Sequence, residues 1–237
     1  MRLSLAEGKG KESKDEISTL SLTLPPRGGG MGGGAVFCLL LSSLFFLLAS
    51  CATKRVEIPT YEGVDVLSVL SRKETVKAID SHFSIEFEKD GSVMRGDAVL
   101  KVTHESLDLQ VYSLGFLVAE VVSNDAGTTS TPPLDRGRLL MLVDGIRSSF
   151  FWWSIKNPEI KEDEDAYRIG NSWRRLLLNR KTLMPEKQMM ELEGGRQLTV
   201  IYGEPVLMEG GWFPSKMRIE LGNQSVNLKI KSLLFSE

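Results

Sequence analysis

The sequence contains few residues of the kinds that carry out catalysis. It has two histidines, His82 at the start of a predicted strand and His104 at a predicted turn. No serine stands in a G-x-S-x-G pattern, so a nucleophile with a positioned base is difficult to assemble. The acidic run 163–165 lacks the spaced oxygen ligands and the turn glycine of a calcium loop. We therefore predict no catalytic residue, no metal site and no cofactor.

The sequence also lacks an excess of positive charge. Its 29 basic and 31 acidic residues give a net charge of −2, and the part that follows Ser50, with 24 basic and 27 acidic residues, has a net charge of −3. Nucleic-acid binding requires a clustered basic surface, and a polybasic membrane anchor requires several adjacent lysines or arginines. We therefore predict that the domain neither binds nucleic acid nor carries a polybasic membrane anchor.

No hydrophobic run is long enough for a transmembrane helix. Residues 35–49 form an uncharged run of 15 residues, shorter than the roughly 20 that span a bilayer as a helix. That length is typical of the core of a signal peptide. The preceding residues are polar and then rich in glycine, a composition that does not indicate a fold. They form either a long n-region or a segment upstream of a later start, for example at Met31.

The end of the apolar run resembles a bacterial lipoprotein processing site, or lipobox. Leu48, Ala49 and Ser50 give an aliphatic residue and two small ones, and Cys51 follows. In bacterial lipoproteins such a cysteine receives a diacylglycerol on its sulfur, the chain is cut before it, and its new amine is acylated. The resemblance implies cleavage between Ser50 and Cys51 and lipidation of Cys51. The alternative is that Cys51 is an ordinary buried apolar residue.

The other cysteine, Cys38, lies within the segment that this cleavage would remove. No disulfide or cysteine metal site could then remain. We divide the chain into a signal segment (1–50), a lipidated N-terminus with a tether (51–61) and a folded domain (62–237), which is long enough to have a hydrophobic core.

The domain begins with a predicted amphipathic helix. Between residues 64 and 80 the apolar residues recur at mostly three- and four-residue intervals, which is typical of a helix with one apolar face. The alternative is a helix that lies on the membrane, but its basic residues Arg72 and Lys73 are too few to favour that position.

From His82 apolar residues alternate with polar ones, which predicts strands with one apolar face. A hairpin at Asp90-Gly91 and two further strands form a meander with a tight turn at residues 113–116. We predict a mobile loop at 124–133, helices over the sheet at 138–155, a surface crossing at 156–165, and strands at 167–169, 173–178, 184–192, 198–202, 212–221 and 226–234. The fold class is therefore α+β, mainly β, with an antiparallel sheet that is apolar on one side.

Two apolar clusters are unusual. Phe150, Phe151, Trp152 and Trp153 are consecutive. A helix cannot direct all of them to one side, so we expect at least one to line an opening, contact lipid or pack beneath a loop. The tight turn carries Leu114 with Phe116 beside it, although turns usually consist of polar residues. The simpler interpretations are core aromatics and a plain connection between strands.

The order of these elements resembles the LolA/LolB-like family of lipoprotein localisation factors. The resemblance covers roughly residues 62–235 and includes the first helix, the meander with its leucine-glycine turn, and the apolar pattern of the last strands. That pattern comprises Leu198, Val200, Tyr202, Gly211, Trp212, Phe213, Pro214, Met217, Ile219, Val226, Leu228 and Ile230.

This resemblance implies a strongly curved antiparallel half-barrel of roughly ten strands, covered by helices, with an apolar cavity for acyl chains. Phe150, Phe151, Trp152 and Trp153 would belong to the cavity or its lid. Leu114, with Phe116, would lie at a turn that delivers lipoproteins into the membrane, because a leucine in that turn has this role in the family's outer-membrane receptor. The cavity would be either open or filled by the protein's own side chains.

We therefore expect a non-enzymatic lipoprotein that binds acyl chains of a lipid or lipoprotein during envelope assembly or lipoprotein localisation. Ala52, rather than aspartate, follows Cys51, which by resemblance to enteric sorting signals favours the outer membrane, with the domain facing the periplasm. A partner protein in the envelope stays unidentified. A scaffold of an envelope complex with the same fold is the main alternative, and a hydrolase that uses His82 and His104 is another.

Replacing Cys51 with serine should leave an unprocessed precursor without lipid, because serine has no thiol to accept the diacylglycerol. Radioactive palmitate should label the wild type and not Cys51→Ser. Labelling of both proteins, or maturation of the variant to the wild-type size, would contradict the lipobox assignment.

Overall fold

The computed structural model describes residues 57–61, 63–209 and 211–237, which belong to one compact unit, Arg55–Glu237. The proposed signal segment, Ser50 and Cys51 lie outside the described residues. In the part of the chain that is described, no helix is long and apolar enough to cross a membrane.

The described residues contain fourteen strands, of which twelve form one curved, antiparallel, unclosed sheet. In chain order the strands are β1 (Ala78–Lys89), β2 (Ser92–Thr103), β3 (Leu107–Ser113), β4 (Phe116–Asn124), β5 (Gly127–Thr131), β6 (Glu159–Glu162), β7 (Ala166–Gly170), β8 (Arg174–Asn179), β9 (Pro185–Glu191), β10 (Gln197–Tyr202), β11 (Pro205–Met208), β12 (Gly211–Pro214), β13 (Lys216–Leu221) and β14 (Gln224–Ser236). The order across the sheet is β5-β4-β3-β2-β1-β14-β13-β10-β9-β8-β7-β6, and β11 pairs with β12 in a separate ribbon.

The sheet therefore has more strands than the roughly ten expected. Strand β5 lies within the predicted loop 124–133, and β6 lies within the predicted surface crossing 156–165. Both sequences are polar, and each strand forms by pairing with its neighbour, β4 or β7. Pairing with a neighbouring strand outweighs local polarity here, so the two predictions are wrong at these strands.

The first helix is shorter than predicted. Helix α1 spans Val66–Lys73, and the N–H of Leu67 donates to Asp65 Oδ1 at 3.2 Å. Strand β1 already begins at Ala78, because it pairs with β2 on one side and β14 on the other from its first residue. The predicted helix 64–80 is therefore wrong in its second part, where apolar spacing alone does not separate a helix from an extended chain.

The sheet has an apolar inner face and a polar outer face, as the alternation predicts. Phe83 and Ile85 of β1 are buried between the partly exposed Ser84 and Glu86. The alternation predicted for the last two long strands is confirmed, since its apolar members, Met217, Ile219, Leu221, Val226, Leu228 and Ile230, are all buried. Removal of this apolar surface from water is the main source of stability.

A helical segment crosses the inner face. It consists of α2 (Arg136–Leu140), a π-helical turn (Met141–Gly145) and α3 (Ile146–Phe150). We call residues 136–155 the cover. The π-helical turn contacts β4, β10 and β13, and at Gly145 it lies so close to the sheet that a Cβ would be 2.8 Å from Ile219 Cγ2. Only glycine permits this approach without displacement of the isoleucine.

The topology determines where the cover must run. The chain proceeds from β1 outward to the edge strand β5, and it resumes at the opposite edge with β6 before returning inward to β14. The cover connects these two edges, so it has to traverse the sheet. The inner face is the apolar side available to it.

Candidate functional site

Aromatic side chains of the cover fill the inner face. All four predicted aromatic residues, Phe150, Phe151, Trp152 and Trp153, are buried. Helix α3 ends at Phe150, and Phe151 has φ −98° and ψ 50°. The chain therefore turns, and the residues after Phe150 no longer follow helical spacing, so all four can point inward. We expected at least one of them to line an opening, contact lipid or pack beneath a loop, and Phe151 packs beneath the β2–β3 turn, where His104 contacts its ring.

The aromatic rings connect the cover with three strands. The ring centroid of Phe150 lies 6.0 Å from that of Phe83 in β1 and 5.8 Å from that of Phe213 in β12. Trp153 lies 5.3 Å from Trp152 and 6.3 Å from Phe235 in β14. These distances are typical of packed aromatic pairs. The rings therefore pack the cover against β1, β12 and β14.

Lys73 and His104 close one side of the aromatic cluster. Lys73 Nζ lies 5.3 Å from the ring centroid of Trp152 and 5.2 Å from that of Trp153. Burial lowers the pKa of Lys73, because removal from water disfavours the ammonium form. His104 lies at the exposed β2–β3 turn with its ring 4.2 Å from Phe151. Helix α1 and this turn thus pack over the cluster.

Arg174 of β8 ties the cover to the sheet. Its Nη1 donates to the carbonyl oxygen of Ser154 at 2.6 Å, and its Nη2 donates to Gln188 Oε1 at 2.8 Å. The same Nη2 lies 3.1 Å from the carbonyl oxygens of Ser148 and Phe151. The last carbonyl groups of a helix have no partner within the helix and carry partial negative charge. The guanidinium supplies a donor to the carbonyl of Ser148 and adds a second donor to that of Phe151, which already accepts from the N–H of Ser154.

Within the described residues, Arg174 forms no salt bridge with a carboxylate. Burial lowers the pKa of Arg174 to about 10, so it is still charged at neutral pH, and the carbonyl dipoles offset the cost of burying that charge. The hydroxyl of Tyr202 donates to Gln188 Oε1 at 3.4 Å, and burial raises the pKa of this tyrosine. Arg174 was not predicted as a site residue, although it lies on the same face of β8 as Leu176 and Leu178, which point to the core.

The turn between β3 and β4 projects apolar side chains into solvent. Leu114 is 96% exposed and Phe116 is 75% exposed, and Leu117 and Val118 are exposed as well. The φ angles of Leu114 and Gly115 are 52° and 83°, and a type I′ hairpin turn requires positive values at both of its central residues. A leucine rarely adopts this conformation. We call residues 114–118 the apolar turn.

Two cavities of similar volume stand out on the outer face of the sheet. One, of about 1010 Å³, lies over β1, β2, β13 and β14 and is bordered by Leu114 and Gly115. We call it the outer groove. The second, of about 990 Å³, lies over β6 to β9. The four predicted aromatic residues line neither of them.

The described residues contain no group of three His, Cys, Asp or Glu side chains that could hold a metal ion. His82 is exposed on β1, opposite Ser232 and Val99. The described residues therefore provide three features: an apolar inner face beneath the cover, the exposed apolar turn, and a polar groove on the outer face of the sheet.

No protein-family model and no curated protein matches the chain significantly. Its fold is similar to that of a LolA superfamily protein of Nitrosomonas europaea, with a TM-score of 0.52 and 11% identity over 74% of this chain and 95% of that one. Weaker similarities are to a DUF1329 family protein of Desulfovibrio piger (TM-score 0.49, 10% identity, 73% and 91% covered) and to a Vibrio parahaemolyticus domain proposed to be an outer membrane lipoprotein-sorting protein (TM-score 0.43, 12% identity, 72% and 92% covered). At these identities the similarity shows the fold alone, which is the LolA-like fold expected from the sequence.

Replacing Arg174 with methionine should lower the free energy of unfolding by about 2–4 kcal/mol, because each buried polar group left without a partner costs about 1–3 kcal/mol, and part of this is offset since no charge is buried. Urea unfolding followed by circular dichroism measures the change. The control Arg175→Met, at the exposed neighbouring residue, should alter stability by less than about 0.5 kcal/mol. Equal stability of the two variants would show that the cover does not depend on Arg174.

Proposed function

We propose that this protein is a non-enzymatic, lipid-anchored envelope protein whose inner face binds acyl chains of a lipid or a lipoprotein. The observation that carries the proposal is the covered inner face. A curved apolar sheet is closed on that side by short elements, the cover with its aromatic turn and helix α1, whereas a purely structural sheet is commonly covered by a second sheet or by long helices. The fold similarity to a LolA superfamily protein is in keeping with this role.

An acyl chain can enter only if the cover moves. Burial of each CH₂ is worth about 0.8 kcal/mol, so a chain of about 16 carbons would gain roughly 13 kcal/mol. Exposure of the aromatic residues of the cover costs about 1.5–3 kcal/mol for each side chain, or roughly 6–12 kcal/mol in total. Because the two values are similar, binding exchanges one apolar occupant for another. Release to a bilayer then needs no bond chemistry.

The apolar turn is the part that we propose contacts the membrane. By resemblance to the LolA/LolB-like family, Leu114 would insert and deliver the cargo. Its side chain is almost fully exposed, so insertion requires no rearrangement of the domain. Transfer of an exposed leucine side chain into hydrocarbon is favourable by about 1.5–3 kcal/mol.

The anchor would be the lipid on Cys51, in the outer membrane with the domain facing the periplasm. This part of the proposal rests on the sequence of residues 48–52. In the palmitate experiment, Cys38→Ser is the matched control, because its cysteine lies in the segment that processing removes.

A fluorescent fatty acid should brighten when it is added to the protein and should be displaced by a lipopeptide, because the inner face would exclude water from the probe. Loosening the cover with Arg174→Met should speed probe uptake several-fold, and Arg175→Met should leave it unchanged. Stopped-flow fluorescence measures both rates. Absence of brightening in all three proteins would reject acyl-chain binding.

Substitution of Leu114 with glutamate should abolish lipoprotein delivery in cells while fatty-acid binding persists, because a carboxylate is costly to insert among acyl chains. Leu207→Glu is the matched control, since Leu207 is another exposed leucine, 55% exposed, in β11. Fractionation of membranes measures lipoprotein localisation. Normal localisation in cells that carry only Leu114→Glu would reject the role of this residue.

A scaffold within an envelope complex is the second candidate. The observation that favours it is the inner face filled by Phe150, Trp152 and Trp153. Mass spectrometry of gently purified protein distinguishes the two functions, because a carrier should retain lipid and a scaffold should not.

A further inference from the structure

The two cavities of the outer face differ in charge although they are nearly equal in volume. The cavity over β6 to β9 is lined by four cationic and four acidic side chains. The outer groove is lined by four cationic residues, Arg95, Lys216, Arg218 and Lys229, and by two acidic ones, Glu86 and Asp97. The outer groove is thus positive in a chain whose overall charge is −2.

Each of the two carboxylates that line the outer groove is paired with a cation. Glu86 is paired with Arg95 at 2.5 Å. Asp97 is paired with Lys231, and hydrogen bonds from Lys231 and Ser84 lower the pKa of Asp97. Both acidic side chains therefore already have cationic partners, and neither neutralises the remaining lysines.

The remaining lysines face each other. Lys216 of β13 and Lys229 of β14 are directly opposite in the antiparallel register, and neither belongs to a salt bridge within the described residues. Like charges in directly opposite positions destabilise a sheet. The neighbouring Arg218 is paired with Glu220 at 2.6 Å. An anion between the two lysines would remove their repulsion.

The residues that border the outer groove indicate which class of anion it would bind. Leu114 and Gly115 of the apolar turn border it, so cations and an exposed apolar tip lie side by side. At a membrane surface, apolar side chains enter the acyl region while lysines remain at the level of the phosphates. A turn inserted in this way would bring the groove to the headgroup layer.

We propose that the outer groove binds the phosphate of an anionic phospholipid headgroup through Lys216 and Lys229. This inference rests on the membrane contact proposed for the apolar turn. It assigns the polar face a role in docking the domain on the membrane, separate from acyl-chain binding on the inner face. The proposed partner is an anionic lipid surface, and electrostatic attraction should weaken at high salt.

Amine labelling of the full lipid-anchored chain in vesicles tests the proposal. Vesicles of phosphatidylcholine alone are compared with vesicles that also contain phosphatidylglycerol, and mass spectrometry gives the acetylation rate of each lysine with an uncharged reagent. In the second vesicles the rates at Lys216 and Lys229 should fall about tenfold if the groove is occupied roughly nine-tenths of the time. Lys161 and Lys187, which line the charge-balanced cavity, are internal controls and should not change.

Three outcomes overturn the proposal. Unchanged rates at Lys216 and Lys229 exclude headgroup binding. Equal protection in both kinds of vesicle shows that negative lipid charge is not required. Protection by inorganic phosphate with phosphatidylcholine vesicles identifies a site for free anions. If the lysines are not protected but Leu114→Glu loses delivery, the proposed function stays intact and only headgroup binding is rejected. If the lysines are protected but Leu114→Glu delivers normally, the delivery role of Leu114 is rejected and headgroup binding in the outer groove is retained.

Discussion

The position of the cover depends on the buried guanidinium of Arg174. A helix that ends above an apolar sheet leaves its last carbonyl groups away from water, which is costly unless donors are supplied. Arg174 supplies a donor from β8 to the helix carbonyl of Ser148, and Gln188 accepts from the same nitrogen. Once the end of the helix is satisfied, the chain can turn at Phe151 and direct consecutive aromatic residues inward.

The filled interior and the proposed binding of acyl chains follow from the same geometry. An open apolar concavity would expose a large surface to water in the absence of cargo, and such a surface promotes aggregation. If the inner face binds acyl chains as we propose, the rings of the cover, which is one connection between two sheet edges, would have to leave this space. The close contact of Gly145 with Ile219 and the hydrogen bonds of Arg174 would have to be broken when the cover leaves.

The sequence predicts the sheet well where one face is buried. The alternation of β1 and of the β13–β14 hairpin reports which side chains are inside, because a strand with one dry face has a period of two. The sequence predicts secondary structure poorly where pairing with a neighbouring strand decides whether a segment becomes a strand, as in β5, β6 and the start of β1. The exposed turn at Leu114 could be recognised from its apolar residues, but Arg174 could not easily be recognised, because a cation among leucines is assigned to the surface by default. Cys51 and Ser50 lie outside the described residues, so their assignment rests on sequence alone.

The pair β1–β14 at the centre of the sheet has a consequence for the order of folding. It joins residues far apart in the chain, as in the hydrogen bond from Ser81 to the carbonyl of Ser232 across 151 positions. Contacts between such distant residues form slowly, because closing the long loop between them costs conformational entropy before any contact energy is gained. The two halves of the sheet cannot be united until the C-terminal strand has been synthesised. A chain built in this way therefore keeps the two halves of its sheet unpaired until translation reaches β14.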